Sequence, residues 1–282
     1  MSPGPKTLDA TYRARAIPLG SVRYWSWLFA SPAARPPLLG IFALLAEWQA
    51  LTDPATEASA GRLKLAWWQE EIYRLIAGTP VHPIAVYLAS LPHAGVVDFS
   101  PLALALDAAI AECSGVPLER GAELVAHASS LRALPLDVAS RLTAAGAGAD
   151  ADTARLQHCL RALAVADYLA RTTREYRRDA RFGRIVFAVD ELLAAGVDNA
   201  DLGADPPPAN LEEYLRQLRA RAAQSYESTS EALPADCRSQ HRHLLVLAAL
   251  GQRQLQRRPA TLESVRMQDM LLAWSTARRA QK

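Results

Sequence analysis

The chain has 282 residues, half of them hydrophobic and 7% aromatic, with a formal net charge of +2. That length supports one large core or two small ones. The near-neutral balance gives no global argument for nucleic acid or membrane as a partner. Three scattered cysteines, Cys113, Cys159 and Cys237, fit a reducing compartment and argue against a disulfide-built fold.

Residues 1–20, with Pro3, Pro5 and Pro18, read as a flexible N-terminal arm. Ser21 to Phe29 is a first short helix, ended near Pro32. Pro36 and Pro37 open the next helix, where the missing N–H groups cost nothing. Its apolar face is Leu38, Leu39, Phe42, Leu45 and Ala46. Asp53 to Gly61 is a break. Arg62 to Ala77 is helical and stopped by Gly78 and Pro80. His82–Leu91 and Pro101–Cys113 follow, then Pro117–Leu134, which Pro135 kinks or ends, and a shorter helix over Val138–Ala145. Gly146–Asp150 is a small-residue turn. Thr153–Arg181 is the longest helical pattern, with Leu156, Leu160, Leu163, Ala166, Leu169 and Ala170 on one side. A short helix over Val189–Leu193 and a proline-containing loop over Asp198–Pro208 lead to three closing helices, Leu211–Leu233, Arg238–Gln256 and Leu262–Ala280. Almost no stretch alternates as a strand does, so residues 21–282 are expected to form one all-α domain.

Carboxylates at i and i+3 or i+4 share a helix face, and facing sets of them hold the Mg²⁺ ions that neutralise a leaving diphosphate. Glu175 and Asp179 form such a pair, with Asp167 two turns upstream and Arg174, Arg178 and Arg184 nearby for phosphate oxygens. The alternative for the same residues is a solvated ladder of ion pairs. Glu47, inside an apolar helix, needs a partner or a path to the surface; Asp53 lies beyond that helix. Trp67 and Trp68 are adjacent and diverge by about 100°, so one is expected in the core and the other at a pocket or beneath a neighbouring helix. The histidines make no zinc signature, and no phosphate-binding glycine loop, dinucleotide fingerprint or nucleophile elbow occurs. The basic C-terminal third has few interleaved aromatics, so no nucleic acid is expected as a partner. No signal peptide or spanning helix is apparent. The expected location is cytoplasmic, with peripheral contact at the inner face of a membrane open.

The stretches Leu38–Trp48 and Gly61–Glu70, together with Arg174-Glu-Tyr-Arg-Arg-Asp-Ala-Arg-Phe-Gly-Arg-Ile-Val-Phe187, resemble the squalene and phytoene synthase family. The closer likeness is to its diverged branch of phytoene-synthase-like complex I assembly factors. The resemblance implies an isoprenoid-synthase helical bundle around a central cavity, with Phe42, Trp67 and Trp68 as its expected lining. Active members of the family join two prenyl diphosphates head to head, using Mg²⁺ held by two aspartate-rich motifs. The first motif, Asp-Asp-x-x-Asp, falls on Gln49, Ala50 and Asp53, so two of its three acids are missing. The second, Asp-x-x-x-Asp, falls on Glu175 and Asp179, preceded by the expected arginine at Arg174. The tyrosine of the Gly-Arg-x-Tyr run is replaced by Val186. Without the first acid set, diphosphate charge is poorly neutralised where ionisation demands it. The expectation is therefore a member that has lost this chemistry, needs no cofactor, and binds an isoprenoid or lipid-like ligand or a protein client. The competing expectation is an active Mg²⁺-dependent prenyltransferase in which Glu47 and Asp53 stand in for the missing acids.

Overall fold

The computed structural model describes residues 7–143, 150–256 and 267–281, with side chains at 150–152 set aside. The described residues are helical, without strands. Helix α1 (Ala10–Ala16) is capped by the Asp9 carboxylate, which accepts from the Thr11 N–H. Its sequence alone, with prolines on both sides, reads as part of a flexible arm. Instead Ala16 and Ile17 are buried, and the helix packs on α3 (Arg35–Thr52). Short helices are stabilised mainly by such packing, which local sequence does not reveal.

Helix α2 (Val22–Phe29) is capped by Ser21. Helix α3 opens on its two prolines and is buried along most of its length, from Leu38 to Trp48. Helix α4 (Ala58–Ile76) begins four residues earlier than the sequence suggested, and Gly61 is the reason it fits. A Cβ there would lie 2.7 Å from the Leu51 carbonyl oxygen and 3.1 Å from the Cys113 sulfur. Helices α5 (Pro83–Ala89) and α6 (Ser100–Ser114) complete this side, packing with α3 and α4.

Helix α7 (Gly121–Ala128) runs through a π-helical turn, Ser129–Ala133, directly into α8 (Leu134–Thr143). Pro135 therefore neither ends nor sharply breaks the run. The wider π-turn absorbs the missing N–H upstream of it, and Val138–Thr143 joins the same helix. Helix α9 (Asp150–Arg181) is the longest and lies against α11 (Ala209–Ala232). Between them come the short α10 (Val189–Ala194) and a 3₁₀ turn at Asp201–Gly203. Helix α12 (Arg242–Leu255) packs on α2, α9, α11 and α13 (Met267–Arg279). The turn expected over residues 146–149 and the expected start of the last helix at 262–266 lie outside the described residues.

Most of the core is one continuous cluster running from α1 to α12. A smaller cluster, Trp25, Val246, Leu250, Ala273 and Ala277, ties α2, α12 and α13 together. On its outer side α13 exposes Met267, Met270, Leu271 and Trp274, spaced as one helical face.

Candidate functional site

A cavity of about 320 Å³ separates α3 from α9. Phe42, Leu45 and Gln49 of α3 face Leu163, Ala164, Asp167, Arg171, Arg174 and Glu175 of α9. Both sets follow helical spacing, which brings one stripe of each helix to the space between them. Arg23 from α2, Arg132 from the π-turn, Leu136 from α8, Tyr226 from α11, and Leu247 and Gly251 from α12 close the sides. Gly251 lies so close to the Tyr226 ring that an added Cβ would sit 2.5 Å from it.

The lining mixes apolar and charged side chains. Its described charged groups are four arginines and two carboxylates. Arg171 is largely but not fully buried and paired with Glu112 of α6 at 2.5 Å. Burial pushes the Glu112 carboxyl upward, but the Arg171 guanidinium outweighs it and holds the group below its ordinary range. Arg174 pairs with Glu175 at 3.1 Å, and Arg132 with Asp167 at 3.7 Å. Arg23 donates to the Gln49 side-chain oxygen at 2.9 Å. Burial and the neighbouring Arg132 pull the Arg23 pKa down to about 10, with Asp167 opposing them.

The residues singled out from sequence do not all meet here. Phe42, Arg174 and Glu175 line the cavity. Trp67 and Trp68 lie elsewhere: Trp68 is buried against Trp48, with ring centroids 6.4 Å apart, and tilts onto His82 at 4.4 Å, while Trp67 is 41% exposed. They sit on α4, which packs on α3 and α6 and contributes nothing to the cavity wall. Glu47 is ion-paired with Arg15 of α1 at 3.0 Å and is likewise not a lining residue. Asp53 receives a 2.5 Å hydrogen bond from Arg178. Burial favours its neutral form, but that bond, the Ala55 N–H and the nearby charges of Arg178 and Arg184 hold its pKa below the ordinary value. Arg184 donates to the Thr52 carbonyl at 2.6 Å. Asp179 faces a separate small pocket of about 40 Å³ that also contains Glu112, His127, Tyr168 and Arg184. Burial, with Glu175 and Glu112 adding to it and Arg171 opposing, raises its carboxyl above the ordinary range.

This donor set does not fit a magnesium cluster. Among the described residues no group of three or more His, Cys, Asp or Glu side chains is placed to hold a metal ion. Asp53 is bonded to Arg178, Glu175 is paired with Arg174, and Asp179 opens onto the other pocket. No local sequence signal marks Arg132 or Gln254 as lining, Arg23 reads from sequence only as one of the cations near the N-terminus that could meet a membrane, and Gln49 reads only as a lost acid. Arg23 and Arg132 lie on short segments whose facing direction depends on the π-turn and on how α2 docks.

An all-helical bundle enclosing a partly apolar, partly charged cavity defines the class: an isoprenoid-synthase-like fold. The profile described as squalene/phytoene synthase matches residues 20–269, and the chain belongs to that family. Its fold is similar to a dehydrosqualene synthase solved in complex with ligand (TM-score 0.72, 15% identity, covering 96% of this chain and 98% of that one). It is also similar to the squalene synthase HpnC of Alicyclobacillus acidocaldarius (TM-score 0.64, 18% identity, covering 87% and 89%). No curated protein sequence matches.

Proposed function

We propose that this family member has lost prenyl-diphosphate condensation and binds an apolar, isoprenoid-like ligand in the cavity between α3 and α9. The observation that carries the reading is Gln49. The side chain at the first acidic position of the family motif is neutral and accepts a hydrogen bond from Arg23 within the cavity. The volume falls in the range of small-molecule sites, and the apolar lining with a few convergent polar groups suits an amphiphile. An active Mg²⁺-dependent prenyltransferase would need Glu47 and Asp53 as substitute ligands, and both are engaged by arginines.

Two measurements test this together. Farnesyl and geranylgeranyl diphosphates incubated with Mg²⁺ are expected to release no diphosphate above background; product formation abolished by Asp179→Ala would overturn the reading. Farnesol is expected to bind the parent protein and to lose at least about tenfold in affinity, roughly 1.4 kcal/mol, when Ala164→Phe fills the cavity. Equal binding by that variant would place the ligand elsewhere.

The same reading includes a cytoplasmic protein in peripheral contact with an anionic bilayer. No helix among the described residues is long and apolar enough to cross a membrane. The face Met267, Met270, Leu271 and Trp274 is exposed, with Arg278 over the Trp274 ring at 5.3 Å and Arg279 beside it. Apolar residues flanked by arginines suit an interfacial helix, and α13 packs on α2 and α12, both of which line the cavity. Flotation with phosphatidylserine-containing vesicles is expected, and Trp274→Ser with Leu271→Ser should abolish it. A parent protein that stays unbound removes the membrane contact and leaves a protein client as the occupant of that face.

A further inference from the structure

We propose that the cavity grips the acidic head of its ligand, a carboxylate or monophosphate, directly with Arg23 and Arg132 and without any divalent cation. The inference rests on the ligand-binding reading above and names the chemistry of the ligand's polar end.

The argument begins with charge. Within the cavity, Arg171 and Arg174 each have a carboxylate within about hydrogen-bond distance. Arg132 reaches Asp167 only at 3.7 Å, too long for a hydrogen bond. Arg23 is half-buried, and among the described residues its polar partner is the neutral Gln49. A guanidinium partly withdrawn from water without a bonded counter-charge is costly. The depressed Arg23 pKa records burial first, with Arg132 adding repulsion and the nearby Asp167 charge only partly offsetting them. An anion seated between these two groups would relieve both, and planar guanidinium donors match the oxygens of a carboxylate or phosphate.

The second part of the argument is where protein cations already stand. Arg178 bonds Asp53, the surviving acid of the first motif position. Arg184 bonds the Thr52 carbonyl at the end of α3, where the helix dipole is negative. Guanidinium groups from α9 and from the segment after it thus bond the end of α3, at the site where bridging cations would need free oxygens. The apolar remainder of the lining, Phe42, Leu45, Leu136, Leu163 and Leu247, is left to receive a hydrocarbon tail.

The test is calorimetric titration of the purified full chain with farnesyl monophosphate, farnesoic acid and farnesol, each in EDTA and again in Mg²⁺. The acidic probes are expected to bind in EDTA at least about tenfold more tightly than farnesol, with Mg²⁺ making no difference. Whichever acid binds more tightly identifies the head as phosphate or carboxylate. Arg23→Gln, Arg132→Gln and Gln49→Asp should each weaken the acidic probes by about tenfold and leave farnesol unchanged. Gln49→Asp places a carboxylate against Arg23 without removing any arginine, so it keeps the test open if an arginine variant misfolds. Acidic probes that bind only with Mg²⁺, or that bind no better than farnesol, would overturn the anion site while sparing the apolar-ligand reading. If none of the three probes binds, that reading falls as well.

Discussion

Replacing Glu112 by Ala is expected to lower folding stability by about 3–5 kcal/mol, the usual result of leaving one partner of a buried ion pair behind. Glu112 and Arg171 have side chains only 14% and 16% exposed and lie 2.5 Å apart. Arg171 also lies over the Tyr168 ring at 5.3 Å. The cavity carboxylate whose charge also acts on Arg171 is Glu175, which is already paired with Arg174. Domains of this size are stable by only about 5–15 kcal/mol, so the loss should be obvious in the urea midpoint with little change in slope. Glu112→Ala combined with Arg171→Leu should recover much of the loss, because it removes the stranded charge. A single variant within about 1 kcal/mol of the parent, or a double variant no better than the single, would show that the pair does not hold α6 to α9.

The second large effect is acid sensitivity above the carboxylate range. His241 and His243 are both buried, and each has an Nδ1 without a hydrogen-bond partner. Burial lowers His241 to about 4. It lowers His243 well below the ordinary value, with His241 and Arg242 adding to it. Burial also lowers His127 and His82, although nearby carboxylates oppose it. These folded-state values lie below the unfolded value near 6.5. Between them the unfolded chain binds more protons, so stability falls as pH falls. The loss begins near pH 6.5 and for His241 is complete near pH 4, amounting to about 3 kcal/mol from that residue. As pH falls below the ordinary carboxylate values, Glu112 and Asp53, whose folded values are depressed, add to the loss; Asp179, whose folded value is raised, opposes the loss just above its ordinary value. Urea midpoints measured from pH 7.5 to 4.5 should fall steadily, and His241→Gln with His243→Gln should flatten the curve. A flat parent curve, or an unchanged slope in the double variant, would show that neither ring is held neutral in the folded chain.

The helices were largely legible in the chain because their signals are local. Pro36 and Pro37 mark the start of α3, Gly78 the end of α4, and the spacing from Leu156 to Ala170 the buried side of α9. Trp67 and Trp68 divide between surface and core as adjacent helical residues do. Periodicity assigns a face to each helix, and the order of acidic and arginine positions along two of them was enough to suggest the family.

Which face meets which was decided only in three dimensions. Glu47 finds Arg15 across 32 residues, Gln49 finds Arg23 across 26, Glu112 finds Arg171 across 59, and Asp53 finds Arg178 across 125. None of these pairs shares a helix, so no i to i+4 rule could propose them. Two of them, Gln49 with Arg23 and Glu112 with Arg171, place arginines in the cavity wall. The chain alone shows that acids are missing from the first motif. Only the docking of α2 and the π-turn before α8 shows that arginines are aimed into the same space. Composition and spacing are sums over neighbours along the chain, whereas the potential inside a cavity is a sum over neighbours in space.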